Sequence, residues 1–180
     1  LREVCPPEDG LAFRAAEIGV ASGENAEGML RVFPSLFLYM VDPWCGDQAY
    51  LESLPRKGEW AGRLASLELF AREEQAWHEA ALCQTDFAAD RRKVLRMPSV
   101  SAALLVDDGT LSFCFIDGDH RYEAVTTDVR VWWPKVRAGG IFAGHDYARY
   151  CPGAIRAVDE WRNETGMKLE SRGRCWIVRK

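Results

Sequence analysis

The chain has 180 residues, 48% hydrophobic and 28% charged, with a formal net charge of −4; this is one domain, long enough to bury a core of its own. Its basic residues are scattered apart from Arg91-Arg92-Lys93, which excludes the basic footprint of a nucleic-acid binder, and no apolar run reaches the roughly 18–20 residues of a membrane-spanning helix. Six cysteines (5, 45, 83, 114, 151 and 175) show no CxxC pair and no metal-ligand spacing, which predicts reduced thiols in a cytoplasmic setting rather than a disulfide framework. The chain opens Leu-Arg-Glu-Val-Cys-Pro-Pro, without a starting Met or a signal-peptide pattern, and reads as a trimmed chain or a fragment.

Phe13 to Val20 reads as a first buried strand. Gly19 and Gly23 bracket a tight turn after it, and residues 25–32 can form a helix whose N-terminus faces the strand edge. A second apolar run, Leu36 to Val41, ends at Asp42-Pro43-Trp44. Asp42 follows the glycine turn by about 20 residues, the spacing at which an acidic side chain grips the ribose of a nucleotide-like cofactor. Alone, Asp42-Pro43 reads equally well as a plain turn; with the glycine turn the binding reading gains. Residues 44–58 have the composition of an irregular segment, and a long helical pattern runs from Glu59 to about Thr85 through Trp60, Leu64, Leu67, Phe70 and Trp77. His78 on it reads as a surface or packing histidine. Arg92 to Met97 is a third strand, and Pro98-Ser99 turns the chain into a short helix over 100–106.

The stretch from Phe113 to Tyr147 carries the strongest pattern. An apolar run, Leu111 to Ile116, stops at Asp117-Gly118-Asp119-His120; a helical pattern follows through Tyr122, Val125, Val129, Trp132 and Trp133. Gly139-Gly140 is expected to close that helix, before a second apolar run, Ile141 to Ala143, stops at His145-Asp146-Tyr147. A βαβ unit is right-handed and parallel, so both strands end on one edge of one sheet. Asp117, Asp119, His120, His145 and Asp146 then surround a single mouth, where open α/β sheets bind ligands. One such residue after a strand is usually a cap or turn former; five at two strand ends point to a site. Pro152-Gly153 starts a last helix, and Met167 to Ser171 with Cys175 to Val178 resemble a closing hairpin. Strands and helices in alternation, with a terminal strand pair, predict an α/β fold: a doubly wound, mostly parallel, Rossmann-like sheet of seven strands ending in an antiparallel hairpin.

A dinucleotide loop would read G-x-G-x-x-G, but Ala21 fills the second glycine position, and no Gly-Lys-Ser/Thr of a P-loop follows Gly23. Glu17-x-Gly19-x-x-x-Gly23 with Asp42 instead resembles the cofactor loop of class I S-adenosylmethionine-dependent methyltransferases. Phe115-Ile-Asp-Gly-Asp-His-Arg-Tyr-Glu, Asp128, Trp132-Trp-Pro, Gly139-Gly140-Ile and His145-Asp-Tyr look like its small-molecule O-methyltransferase branch, which includes metal-dependent sugar- and catechol-modifying enzymes. The resemblance spans roughly residues 13–178. It implies that Glu17, Gly19, Gly23 and Asp42 hold the methionine and ribose portions of S-adenosyl-L-methionine, that Ser99 borders the adenine, and that Asp117 at the strand end joins the cofactor side. It also implies a divalent metal such as Mg or Mn, with Asp117 and Asp146 as ligands. Here the chain departs: His145 stands where a second acid would be, so either His145 coordinates, favouring a softer metal, or the metal is lost. Asp119 matches the position of the general base in sugar-modifying members, and His120 is the other base.

The implied partner is a small-molecule hydroxyl acceptor, with Trp44, Trp60, Tyr147 and Tyr150 as pocket aromatics and no nucleic acid or membrane involved. Trp132 and Trp133 read as packing residues. The N-terminal helices that usually cover the substrate site in such enzymes are missing from this sequence, and a strand edge left open that way invites a homodimer. Alternatives are a metal-free methyltransferase with a histidine base, a degenerate member that binds cofactor without turnover, and, more remotely, a nicotinamide oxidoreductase.

Overall fold

The computed structural model describes residues 12–45 and 67–180. Nearly all of the expected irregular segment at 44–58, and the start of the long helix with Trp60 and Leu64, lie outside the described residues. Seven strands are present: β1 (Arg14–Ile18), β2 (Phe37–Val41), β3 (Arg92–Leu95), β4 (Leu111–Ile116), β5 (Val136–Gly144), β6 (Leu169–Arg172) and β7 (Cys175–Arg179). Five α-helices accompany them among the described residues: α1 (Glu24–Val32), α2 (Leu67–Gln84), α3 (Ser99–Ala103), α4 (Tyr122–Trp132) and α5 (Pro152–Thr165).

The sheet order is β3-β2-β1-β4-β5-β7-β6, with β1 to β5 parallel and β7 antiparallel to both of its neighbours. This is the doubly wound sheet with an antiparallel terminal pair that the strand–helix alternation predicts. β4 is almost fully buried because its apolar run is covered on both faces, as parallel central strands are. On one face Val129 and Trp132 of α4 and Val158 and Trp161 of α5 pack on Cys114, Phe142 and Trp176. On the other, Met29 and Leu30 of α1 and Ala81 of α2 pack on Leu38 and Met40. Cys114 is wholly buried, and burial pushes its thiol up, as for an inert core cysteine. Trp133 packs edge-on to Trp161, with ring centroids 5.2 Å apart, so both tryptophans of the pair serve the core.

One expectation is corrected. Gly139-Gly140 does not close α4; it lies inside β5. The helix stops at Trp132 because Pro134 brings no N–H to continue it, and a 3-10 turn over Trp133–Lys135 leads into the strand. The glycines sit where the β4–β5 register shifts: Leu111 faces Val136, but Phe113 already faces Ile141. Gly139, at φ 73°, makes that irregularity possible.

The parallel register positions the site. Leu95, Val41, Ile18, Ile116 and Gly144 lie in one row across five strands. The residues that follow them, Arg96, Asp42, Gly19, Asp117 and His145, therefore form one edge. The strand order reverses between β1 and β4, which puts the switch point of the sheet at that edge, where Gly19 and Asp117 lie side by side.

Candidate active site

On the β1–β2 side, Glu17 occupies a strand position of a buried core and is 1% exposed. Asn25 Nδ2 donates to its Oε1 at 2.7 Å, while Oε2 is buried with no partner among the described residues. Burial pushes the carboxyl up to about 8; the Asn25 hydrogen bond opposes this, and the charges of Asp117 and Asp42 add to it. Gly19 has φ 90°, and a Cβ there would stand 2.3 Å from the Asp117 carbonyl oxygen, so only glycine lets β1 and β4 exit side by side. Gly23, also at φ 90°, begins α1 and closes the turn by donating its N–H to the Val20 carbonyl at 2.9 Å.

Asp42 fastens this loop. Its Oδ2 accepts the N–H groups of Val20 at 2.9 Å and Ala21 at 3.0 Å, and its Oδ1 accepts that of Trp44 at 2.7 Å. Ala21 has φ 46°, the left-handed conformation that a glycine would adopt at that point of the loop. Trp44, expected in an acceptor pocket, is instead 1% exposed: its Nε1 donates to the Ala21 carbonyl at 2.8 Å and its ring lies 4.6 Å from that of His78. His78, read from the sequence as a surface or packing histidine, packs here on Trp44. Ser99 Oγ donates to Asp128 Oδ1 at 2.5 Å and accepts from Trp132 Nε1 at 2.8 Å, so the residue read as an adenine neighbour also ties α3 to α4.

On the β4–β5 side the structure brings Asp117, His120, His145 and Asp146 together. One ligand atom each from Asp117, His120 and Asp146 lies within 4.8 Å of the others. His145 Nδ1 is 3.4 Å from Asp117 Oδ1 and 3.4 Å from Asp146 Oδ1. His120 Nε2 stands 2.8 Å from Asp146 Oδ2, and the Tyr150 hydroxyl donates to Asp146 Oδ1 at 2.5 Å. Burial works to raise Asp146, but the hydrogen bonds from His120 and Tyr150 and the two imidazoles outweigh it and hold the carboxyl below the usual carboxylate range. Desolvation likewise works to lower His120, and Asp146, Asp117 and Asp119 outweigh it, so its pKa is raised. For Asp117 burial wins, pushing it up to about 6 against both histidines. Asp146 adopts φ 53°, a left-handed backbone that turns its carboxylate into the cluster.

Asp119 stands apart. Its Oδ1 accepts the Arg121 backbone N–H at 2.9 Å and its Oδ2 accepts Arg121 Nε at 2.7 Å. Tyr147 is fastened to α5 by its hydroxyl, which donates to Asp159 Oδ1 at 2.8 Å. Sequence reasoning missed two placements: His120 in the cluster that could hold a metal ion, three residues after Asp117 in the same strand-end turn, and Tyr150 as the hydrogen-bond partner of Asp146. Only the spacing Asp117…His120 signalled the first, and nothing in the sequence signalled the second.

A profile described as a methyltransferase domain matches residues 16–147 of the chain. No curated protein sequence matches it. Among solved structures, the O-methyltransferase NovP superposes with a TM-score of 0.67 at 20% identity, covering 96% of this chain and 73% of its own. A protein from Corynebacterium glutamicum superposes with a TM-score of 0.65 at 14% identity, covering 98% and 76%. A calicheamicin methyltransferase gives 0.61 at 15% identity, covering 93% and 72%. At these identities the likeness is one of fold, while the profile covers both strand ends of the site. The chain belongs to this methyltransferase-domain family, whose methyl donor is S-adenosylmethionine.

Proposed function

We propose that the chain methylates a hydroxyl of a small molecule, using S-adenosylmethionine and a divalent ion held by Asp117, His120, His145 and Asp146. The observation that carries this reading is the convergence of those four side chains at the ends of β4 and β5, next to the switch point. The donor set fits an ion. It mixes imidazole nitrogen with carboxylate oxygen, which suits Mn, Fe or Zn better than Mg. The cofactor also fits: Glu17 Oε2, buried and without a partner, can receive a cationic amino group, and Asp42 borders the same loop. When bound, the sulfonium supplies an electrophilic methyl group, and the ion lowers the pKa of an oxygen beside it.

The chain's own residues then have distinct tasks. Glu17 and the glycine turn would fix the amino-acid end of the donor, and Gly19 lets the β1 and β4 ends run side by side next to it. Asp117 and Asp146 supply negative charge at the mouth, and Tyr150 holds Asp146 in place. With His120 engaged by the ion, the acceptor proton would pass to solvent; Asp119, with both oxygens engaged by Arg121, is a weak base.

A second reading is favoured by one contact. His120 and Asp146, 2.8 Å apart, form a dyad that can orient an imidazole as a general base without any ion. Calorimetric titration with S-adenosylhomocysteine, followed by turnover on a panel of hydroxyl compounds with and without EDTA, separates the two. Turnover lost to EDTA and restored by Mn supports the metal reading. Turnover indifferent to EDTA moves the function to the dyad, and no binding of the homocysteine compound sinks both.

A further inference from the structure

The antiparallel pairing of β5 with β7 continues past the ends of both strands. Ala143 faces Ile177 and Gly144 faces Trp176. Beyond them the Tyr147 N–H donates to the Arg174 carbonyl at 2.9 Å. Arg174 follows the turn residue Gly173, which has φ 62°. The hairpin thereby fixes Arg174 against the Asp146–Tyr147 corner, at the same edge as the candidate site.

Its side chain turns to that corner. Nη1 donates to the Tyr150 hydroxyl oxygen at 3.2 Å, and the same hydroxyl donates to Asp146 Oδ1 at 2.5 Å. One phenol therefore stands between the guanidinium and a carboxylate of the cluster. Arg174 is exposed and makes no ion pair among the described residues. Other exposed arginines close their charge on a carboxylate of the chain, as Arg31 does on Glu27, Arg130 on Glu164 and Arg156 on Glu160. Holding a phenol needs one neutral N–H, which Gln would supply. The charge and the rest of the planar donor fork are left over.

The charges at the mouth give that cation a task. Asp117 and Asp146 together balance a divalent ion, so a further negative group on the acceptor finds no counter-charge in the cluster. A guanidinium takes a carboxylate through two parallel N–H donors. We infer that Arg174 is an acceptor-binding residue, which holds a carboxylate of the small molecule while the hydroxyl to be methylated lies at Asp117 and Asp146. Two hydrogen bonds separate the guanidinium from Asp146, a gap that one aromatic ring carrying both groups can bridge. The inference rests on the O-methylation reading above and adds the class of its acceptor, a hydroxy acid.

The test compares wild type with Arg174→Gln, a change at an exposed position that keeps one donor for Tyr150. The probes are 3,4-dihydroxybenzoate and its uncharged counterpart 3,4-dihydroxybenzamide. Each is titrated calorimetrically into the chain with Mn and S-adenosylhomocysteine present. Wild type should bind the acid about tenfold more tightly than the amide, the low end for a hydrogen bond to a charged group because Arg174 is exposed. Arg174→Gln should lose that preference, while its affinities for the amide, for Mn and for S-adenosylhomocysteine stay within twofold. A wild type without the preference, or one that binds S-adenosylhomocysteine but neither probe, overturns the inference. A preference that survives in Arg174→Gln overturns it too, because the carboxylate would then sit on the ion. An equal loss for both probes together with weaker Mn binding also overturns it, making Arg174 a positioning residue that acts through Tyr150 on Asp146. Failure of wild type to bind S-adenosylhomocysteine overturns the methyl-transfer reading, and this inference with it.

Discussion

On the β1–β2 side of the switch point Glu17 is buried beside a single amide, whereas on the β4–β5 side Asp146, nearly as buried, faces two imidazoles and a phenol. Burial works to raise both carboxyls, but the outcomes are opposite. Glu17 is driven up to about 8, and Asp146 is held below the ordinary carboxylate range. On the first half one oxygen of Glu17 is left without a partner among the described residues, while Asp42 is taken up by its own loop. The other half carries its own counter-groups and is assembled in the free chain. The difference says which half a ligand should stabilise more: the cofactor side, where binding removes a standing cost.

The largest expected effect breaks the cofactor side. Because the folded-state pKa of Glu17 lies above its unfolded value, the folded chain holds that proton more tightly, and stability falls as pH rises from about 4.5 through about 8. Glu17→Gln removes this dependence. The stability difference between wild type and the variant should move by on the order of 4 kcal/mol in the variant's favour between pH 4 and pH 9. Urea unfolding of both chains across that range checks the slope. The variant should also bind S-adenosylhomocysteine more weakly, so a gain in stability accompanies a loss of function. A flat difference curve would mean that Glu17 finds a partner the free chain already contains.

Next in size is a test of the assembled side. His120→Ala should reduce the affinity for Mn by about 100-fold, since it removes a ligand rather than an outer partner. Binding of S-adenosylhomocysteine should stay within twofold, because Glu17 and Asp42 are untouched. Calorimetry with each compound reads both numbers. Retained Mn affinity with lost turnover would instead assign His120 as the base of the dyad. Smaller again is Tyr150→Phe, which removes the donor to Asp146 Oδ1 and keeps the ring. A drop of about tenfold in Mn affinity is expected for such an outer partner. An equal drop in cofactor affinity would show that the two halves are less separate than the geometry indicates.

How much of this was legible beforehand follows the same division. The strand ends were readable because period and composition are local: Leu111 to Ile116 stops at Asp117, and Ile141 to Ala143 stops before His145. Handedness and register then bring those ends together without further information. The Gly139-Gly140 error has a local cause too. Glycine after a helix usually ends it, and only the β4–β5 register shows that Pro134 had already done so. What was not legible depends on tertiary proximity. That Trp44 would be buried under the loop, that Tyr150 would reach Asp146, and that Ser99 would bridge Asp128 and Trp132 are contacts between segments 4 to 33 residues apart, which leave no periodic trace.

The smallest effect concerns backbone strain, which both halves carry: Ala21 has φ 46° and Asp146 φ 53°. A left-handed non-glycine residue costs roughly 1–2 kcal/mol, and glycine returns most of it while adding unfolded-state entropy. Ala21→Gly should therefore raise stability by about 0.5–1 kcal/mol, a shift of about 1–3 °C in melting temperature for a domain of this size. Ala21 is exposed, and its N–H and carbonyl, the groups that bond Asp42 and Trp44, are retained by glycine. Asp146→Gly relieves the same strain but removes the acceptor of His120 and Tyr150, so the chain should lose stability and Mn binding together. Calorimetric melting of the two variants side by side makes the comparison. If Ala21→Gly melts lower than wild type, the Asp42 and Trp44 bonds hold the loop tightly enough that the methyl group contributes more by stiffening it than it costs in strain, and the cofactor side would then be pre-formed as well.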